Sequence, residues 1–257
     1  RLPNQIHDVT KAFVDEAASI LGAKLYGIYM YGASVFDDGG PIQDIDCHVI
    51  LNGPLGKDER EALLNVHKEL AERYPPLGGE LDAYFILLDA AKASAPPQHQ
   101  LDLTTFDNSW ALHCAHVRGG RYVILWGPEP TEVFPAPSWG EIATALEDEL
   151  AYVKGHLCHP AYCVLNLCRI AFSYSEKDPV KSKHGSGLWA SERFPEWKPL
   201  IQVAMRVYEK EHSEEDGRLL GKQLNSFLMF VEEYLDRIQE EDTPNQTMHR
   251  TPLSRRP

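Results

Sequence analysis

Apolar residues recur at helical spacing through residues 5–22 (Ile6, Val9, Phe13, Ala17, Ile20), and Gly22 is a fitting stop. The next segment, KLYGIYMY at 24–31, is rich in aromatic and β-branched residues and reads as a strand. Residues 36–43 contain Asp37-Asp38-Gly39-Gly40-Pro41 and read as a turn, and IDCHVIL at 45–51 is a second strand. A helix is predicted over 58–74, then a third strand over 81–88 after Pro75-Pro76-Leu77-Gly78-Gly79. Residues 92–105 are poorly patterned. A short helix over 110–117 and a strand over 122–126 follow. Beyond 137 the pattern turns wholly helical. Helices are predicted over 138–154, 162–174, after Pro199 within 192–212, and over 217–241. The segment 162–174 is apolar almost all round, which predicts a buried helix.

This pattern predicts an α/β (α+β) protein: a mixed sheet flanked by helices, followed by an all-helical C-terminal domain. The expected boundaries are 1–137 and 138–242, with the Pro-rich stretch 127–137 as linker and a disordered polar tail over 243–257.

Charge narrows the function. The formal net charge is −13, with Lys and Arg scattered, so a duplex-gripping basic stripe is missing and no nucleic-acid partner is expected. No apolar run approaches the ~20 residues of a membrane span, and the opening residues carry no apolar signal segment. The expectation is a cytoplasmic monomer with no membrane partner. The five cysteines form no CxxC pair and read as free thiols. His156-Leu157-Cys158-His159 lacks a second ligand pair and is not read as a zinc site.

Chemistry concentrates between residues 31 and 82. Asp44 and Asp46 stand at i and i+2 where a strand begins, so their side chains point the same way. Two such carboxylates suit a hard divalent cation. Asp82 begins the third strand; if that strand lies beside the second, it completes a three-carboxylate cluster of the kind phosphoryl or nucleotidyl transfer requires. The turn at Gly32-Ala33-Ser34 offers backbone N–H groups where phosphates could approach.

YGASVFDDGGPIQDIDCHVIL at 31–51 resembles the glycine–serine and Asp-x-Asp signature of the polymerase-β-type nucleotidyltransferases. Within that superfamily the chain most resembles the aminoglycoside adenylyltransferases that act on streptomycin and spectinomycin. The likeness continues through LDAYFIL at 81–87, YVILWGP at 122–128, and YCVLNLCRIAFSY followed by KSKHGSGLWASERFP. It implies MgATP as donor, transfer of AMP to a hydroxyl of a small-molecule acceptor, and release of pyrophosphate. It further implies that Asp44, Asp46 and Asp82 hold magnesium, and that Asp82 takes the acceptor's proton where the drug-modifying enzymes use glutamate. Gly32, Ala33, Ser34 and Lys183 would contact the nucleotide.

Several positions depart from the family pattern. Ala33 stands where serine is usual, with Ser34 one place later, and Gln43 stands where serine often precedes the first aspartate. These departures open a second reading, a catalytically degenerate relative that binds nucleotide or ligand without turnover. His184 and Leu188 occupy the positions of two drug-pairing acids, so the acceptor is not expected to be streptomycin-like. Other polar residues have plainer readings. His48 reads as a strand histidine in partial burial, Arg169 as half of a buried ion pair with a carboxylate, and Lys181 and Lys183 as part of a polar loop.

Overall fold

The computed structural model describes residues 4–38, 40, 42–209 and 213–242, so the tail expected to be disordered lies outside the described residues. The N-terminal elements are α1 (Asn4–Leu21), β1 (Leu25–Tyr31), β2 (Ile45–Leu51), α2 (Lys57–Arg73), β3 (Leu81–Leu87), the one-turn α3 (Leu88–Ala91), α4 (Trp110–Arg118) and β4 (Val123–Trp126). The helices α5 (Trp139–Gly155), α6 (Pro160–Glu176), α7 (Lys183–Arg193), α8 (Lys198–Tyr208) and α9 (Glu214–Asp242) follow.

The strands form a mixed sheet in the order β3-β2-β1-β4. β1 runs antiparallel to β2 and β4, and β2 runs parallel to β3. Strand alternation gives the sheet two different faces. Ile45, Cys47, Val49 and Leu51 turn toward α1 and α2, where they meet Phe13, Leu63 and Phe85. Tyr29, Ile50 and Ile86 turn the other way and pack with Trp110, Cys114 and Phe134. That second face carries the polar chemistry.

Helix α4 serves two cores. Its Trp110, Cys114 and Val117 lie on the sheet, while Ala111 and Leu112 join the cluster built by α5 to α9. α6 is buried along most of its length, as its apolar pattern predicts.

Two segments differ from their sequence reading. The stretch read as a linker is packed: Val133 and Phe134 are buried, and Phe134 sets its ring edge-on to Tyr29 at 5.4 Å between centroids. Two apolar side chains among prolines suffice to dock it. The stretch read as a polar loop around Lys183 is the start of helix α7. Gly185 and Gly187 weaken its helical signal by propensity. Their role is in packing: a Cβ at Gly187 would press on Met205 Sδ at 3.1 Å and Leu165 Cδ2 at 3.2 Å. Glycine there lets α7 lie close against α6 and α8. Ser182 caps the helix by accepting the Gly185 N–H at 2.8 Å.

Candidate active site

Strand register builds one wall of the site. Tyr31 pairs with Asp46, and Asp46 pairs with Asp82, so the three stand in one row across β1, β2 and β3. Asp44 precedes β2 by one residue. Asp44, Asp46 and Asp82 line a single cavity of about 280 Å³, together with Gly32 and Ala33. Asp82 is the exposed member of the three.

The chain turns sharply at Gly32, whose φ is +77°. A Cβ there would fall 2.0 Å from Asp46 Oδ2. Glycine is thus required twice, for the left-handed backbone and for its approach to the carboxylate. The short 3₁₀ turn from Gly32 to Val35 leaves Ala33 on the cavity. Ser34 is placed differently from its sequence reading. It is buried, its hydroxyl donates to Tyr31 O at 3.1 Å, and it does not line the cavity. The hydroxyl closes its own turn instead of reaching across it.

The opposite wall comes from the helices. The Ser182 hydroxyl donates to Asp38 in a short contact, tying the chain at Asp38 to the start of α7. The Gln43 side-chain amide donates to Tyr208 O at the end of α8, also in a short contact. Lys183 therefore faces the acids from across the cavity. Its ammonium lies 4.6 Å from the Tyr162 ring centroid and 5.6 Å from that of Tyr208. Arg169 also lines the cavity and is anchored by Glu149 at 3.2 Å. The carboxylate partner expected for Arg169 is thus Glu149.

Charge is strained across this gap. Burial, then the neighbouring Asp44 and Asp82, push the Asp46 carboxyl up to about 7. Burial, with Arg169 close by, brings the Lys183 ammonium down to about 8, although Asp44, Glu149 and Asp46 pull it back up. Asp44, Asp46 and Asp82 offer hard carboxylate oxygens of the kind a divalent cation takes, but among the described residues the ligand atoms that converge within 4.8 Å are those of His48, Asp107 and His113.

A histidine cluster adjoins the acids. The His48 side chain has no exposed surface and stacks on Tyr31 at 4.0 Å, which goes further than the partial burial expected. Its Nε2 lies 3.4 Å from Asp107 Oδ2, and His113 Nδ1 lies 2.7 Å from the same oxygen. His113 lines the cavity. Asp107, His113 and His116 escaped the sequence reading because each is isolated in a weakly patterned stretch or a short apolar helix. Only the fold brings them to the Asp46 row.

A second groove of about 540 Å³ opens between α7 and α8, sharing His184 with the first cavity. Leu188 is 49% exposed along it. His184 Nδ1 lies 3.3 Å from Glu209 Oε1, so an acid does reach this position, from the residue that caps α8, in contact with the histidine ring. Glu192, Lys198 and Arg206 complete a groove of mixed charge.

Residues 132–233 match the family described as aminoglycoside adenylyltransferase, C-terminal domain. No curated protein sequence matches the chain. Among solved structures, the fold is similar to that of the spectinomycin adenyltransferase AAD(9) from Enterococcus faecialis, crystallised with ATP and spectinomycin. The superposition has a TM-score of 0.73 at 16% sequence identity and covers 88% of this chain and 99% of the other. The C-terminal region of the chain thus matches the aminoglycoside adenylyltransferase C-terminal domain, and the fold as a whole is similar to that of a spectinomycin adenyltransferase.

Proposed function

We propose that the protein transfers AMP from MgATP to a hydroxyl of a small acceptor, with residues 1–137 as catalytic domain and 138–242 as clamp. One observation carries this reading: Asp46 and Asp82 on adjacent strands, with Asp44 just before β2, share a single cavity with Lys183 and Arg169. Asp44, Asp46 and Asp82 would hold magnesium. The ion supplies charge neutralisation of the triphosphate and polarises it for attack. Asp82, exposed at the mouth, accepts the proton of the acceptor hydroxyl. That oxygen bonds to the α-phosphorus as the bond to the bridging oxygen breaks, and pyrophosphate leaves with the electron pair.

The phosphate contacts differ from the usual serines. Ala33 has no hydroxyl, Ser34 is committed to Tyr31 O, and Gln43 to Tyr208 O. Backbone N–H groups at Gly32 and Ala33 take that role, with Lys183 and Arg169. Calorimetry tests this directly. ATP is expected to bind in the presence of magnesium and far more weakly after chelation with EDTA. Absence of magnesium-dependent binding would sink the reading. Ala33 and Gln43 favour a second one, a binder without turnover. It predicts the same titration but no pyrophosphate release with any acceptor.

The acceptor groove argues against streptomycin-like drugs. Where the family pattern implies two acids, Leu188 offers apolar contact and the His184 ring is in contact with Glu209. Each charge-assisted hydrogen bond lost costs ~1.5–3 kcal/mol, so losing two weakens recognition by roughly two to four orders of magnitude. Incubation with MgATP and streptomycin or spectinomycin is expected to give no efficient AMP adduct by mass spectrometry. Efficient modification of either drug refutes this assignment of the groove.

A further inference from the structure

His113 has one ring nitrogen committed and one left over. Nδ1 is 2.7 Å from Asp107 Oδ2. Asp107 is itself buried and holds the Ser109 backbone N–H at 3.1 Å through its other oxygen. The carboxylate is therefore fixed, and it fixes the ring. Of His48, Asp107 and His113, only His113 lines the cavity, and Nε2 is its uncommitted ring nitrogen.

The same three side chains bring ligating atoms within 4.8 Å of one another, which raises the alternative of a metal bound by His48, Asp107 and His113. The geometry speaks against it. Both rings approach one carboxylate oxygen, His113 at hydrogen-bond distance. A metal-bound imidazole ordinarily donates its second N–H, yet among the described residues His48 Nδ1 has no partner. The cluster is a hydrogen-bonded relay.

We infer that His113, oriented by Asp107, contacts the polyphosphate of the donor nucleotide through Nε2–H, joining Lys183 and Arg169 as a third cationic contact. This rests on the MgATP reading above. With Nδ1–H given to Asp107, a donor at Nε2 makes the ring an imidazolium. The groups around it are Asp107, Asp46 and Glu149, with His48, His116 and Tyr31 beside them. Burial disfavours the charge, but the Asp107 carboxylate, aided by Asp46 and Glu149, outweighs it and raises the His113 pKa. A triphosphate in the cavity acts in the same direction. As pyrophosphate departs, its oxygens gain charge, and a donor there stabilises the leaving group more than the ground state.

Two isosteric substitutions separate this contact from a structural role. In His113→Asn the side-chain amide takes the place of Nδ1, keeping the Asp107 bond and losing the cavity nitrogen. In His113→Gln the amide reaches the place of Nε2 and gives up Asp107. MgATP titration by calorimetry is expected to show His113→Asn binding ~10–100-fold more weakly than wild type. His113→Gln should keep the higher affinity of the two, although it melts at the lower temperature. A purely structural role makes affinity and melting temperature fall together.

The wild type provides a check independent of folding defects. In histidine-labelled protein, nitrogen NMR should show the His113 Nε2 resonance moving on addition of MgATP and not of AMP. Wild type that binds no MgATP overturns the donor reading, and this contact with it. Wild type that binds MgATP with an unmoved Nε2 resonance, or with equal affinity in His113→Asn, overturns this contact alone.

Discussion

Asp82→Asn is expected to lower the rate of AMP transfer by ~10²–10⁴-fold while MgATP still binds. The asparagine amide has the shape of the carboxylate but cannot take a proton from the acceptor hydroxyl. Asp82 is exposed and stands in register beside Asp46, at the mouth of the cavity and away from either core. Its replacement should therefore leave the melting temperature close to wild type. It also removes one of the charges that push Asp46 upward, after burial and Asp44, so Asp46 remains competent to hold a cation. Pyrophosphate release in single turnover, with binding measured separately, reads the two effects apart. An unchanged rate would mean that another group accepts the proton. Loss of binding equal to loss of rate would make Asp82 a metal ligand first and a base second.

Much of this site is legible in the sequence because it depends on strand geometry. Two aspartates at i and i+2 must share a face, and a third at the start of the next strand joins them if the strands pair in that register. The pairing of Asp46 with Asp82 sets them side by side on the cavity, while among the described residues the three carboxylates do not close on one another as a metal-sized group. The helical second half is legible for a similar reason: α5, α6 and α9 each carry a continuous apolar stripe. Physical causes also explain what escaped. α7 opens with glycines and polar residues, and its helix is stabilised by contacts with α6 and α8 that no local pattern encodes. Ser34 is one place from the usual serine, yet a 3₁₀ turn directs it to Tyr31 O, away from the cavity. The Asp107–His113 pair unites the stretch before α4 with its middle, but its meaning comes from His48 on β2, far away in sequence. Side chains that act through a third element leave no periodic trace.

Glu149→Ala should destabilise the protein by ~1–3 kcal/mol, because it leaves a half-buried cation and two neutral donors without their shared acceptor. Glu149 on α5 receives Arg169 at 3.2 Å and Asn166 at 2.8 Å from α6, and the Ser109 hydroxyl from the residue before α4. Burial alone would raise its pKa, but Arg169 and the donors outweigh burial and hold the carboxyl below its ordinary value. The charged form is therefore the one the fold selects. Its contribution is present above the unfolded pKa of ~4.3 and is lost as pH falls through the lower, folded value. Asn166 is fully buried, its Oδ1 already lacks a partner among the described residues, and an alanine at 149 leaves its amide N–H groups only the long contact to the Tyr162 hydroxyl at 3.5 Å. For a chain of this size the penalty corresponds to a drop in melting temperature on the order of 5 °C. Glu149→Gln keeps an acceptor for Asn166 but removes the charge opposite Arg169, so it should fall between alanine and wild type. Urea unfolding of the two variants decides the matter. A loss below ~1 kcal/mol in Glu149→Ala would show that water replaces the carboxylate at little cost. The same variant carries a functional readout, since Arg169 lines the cavity and loses its anchor. MgATP affinity should fall in Glu149→Ala even at temperatures where it is fully folded, which a defect confined to stability would not produce.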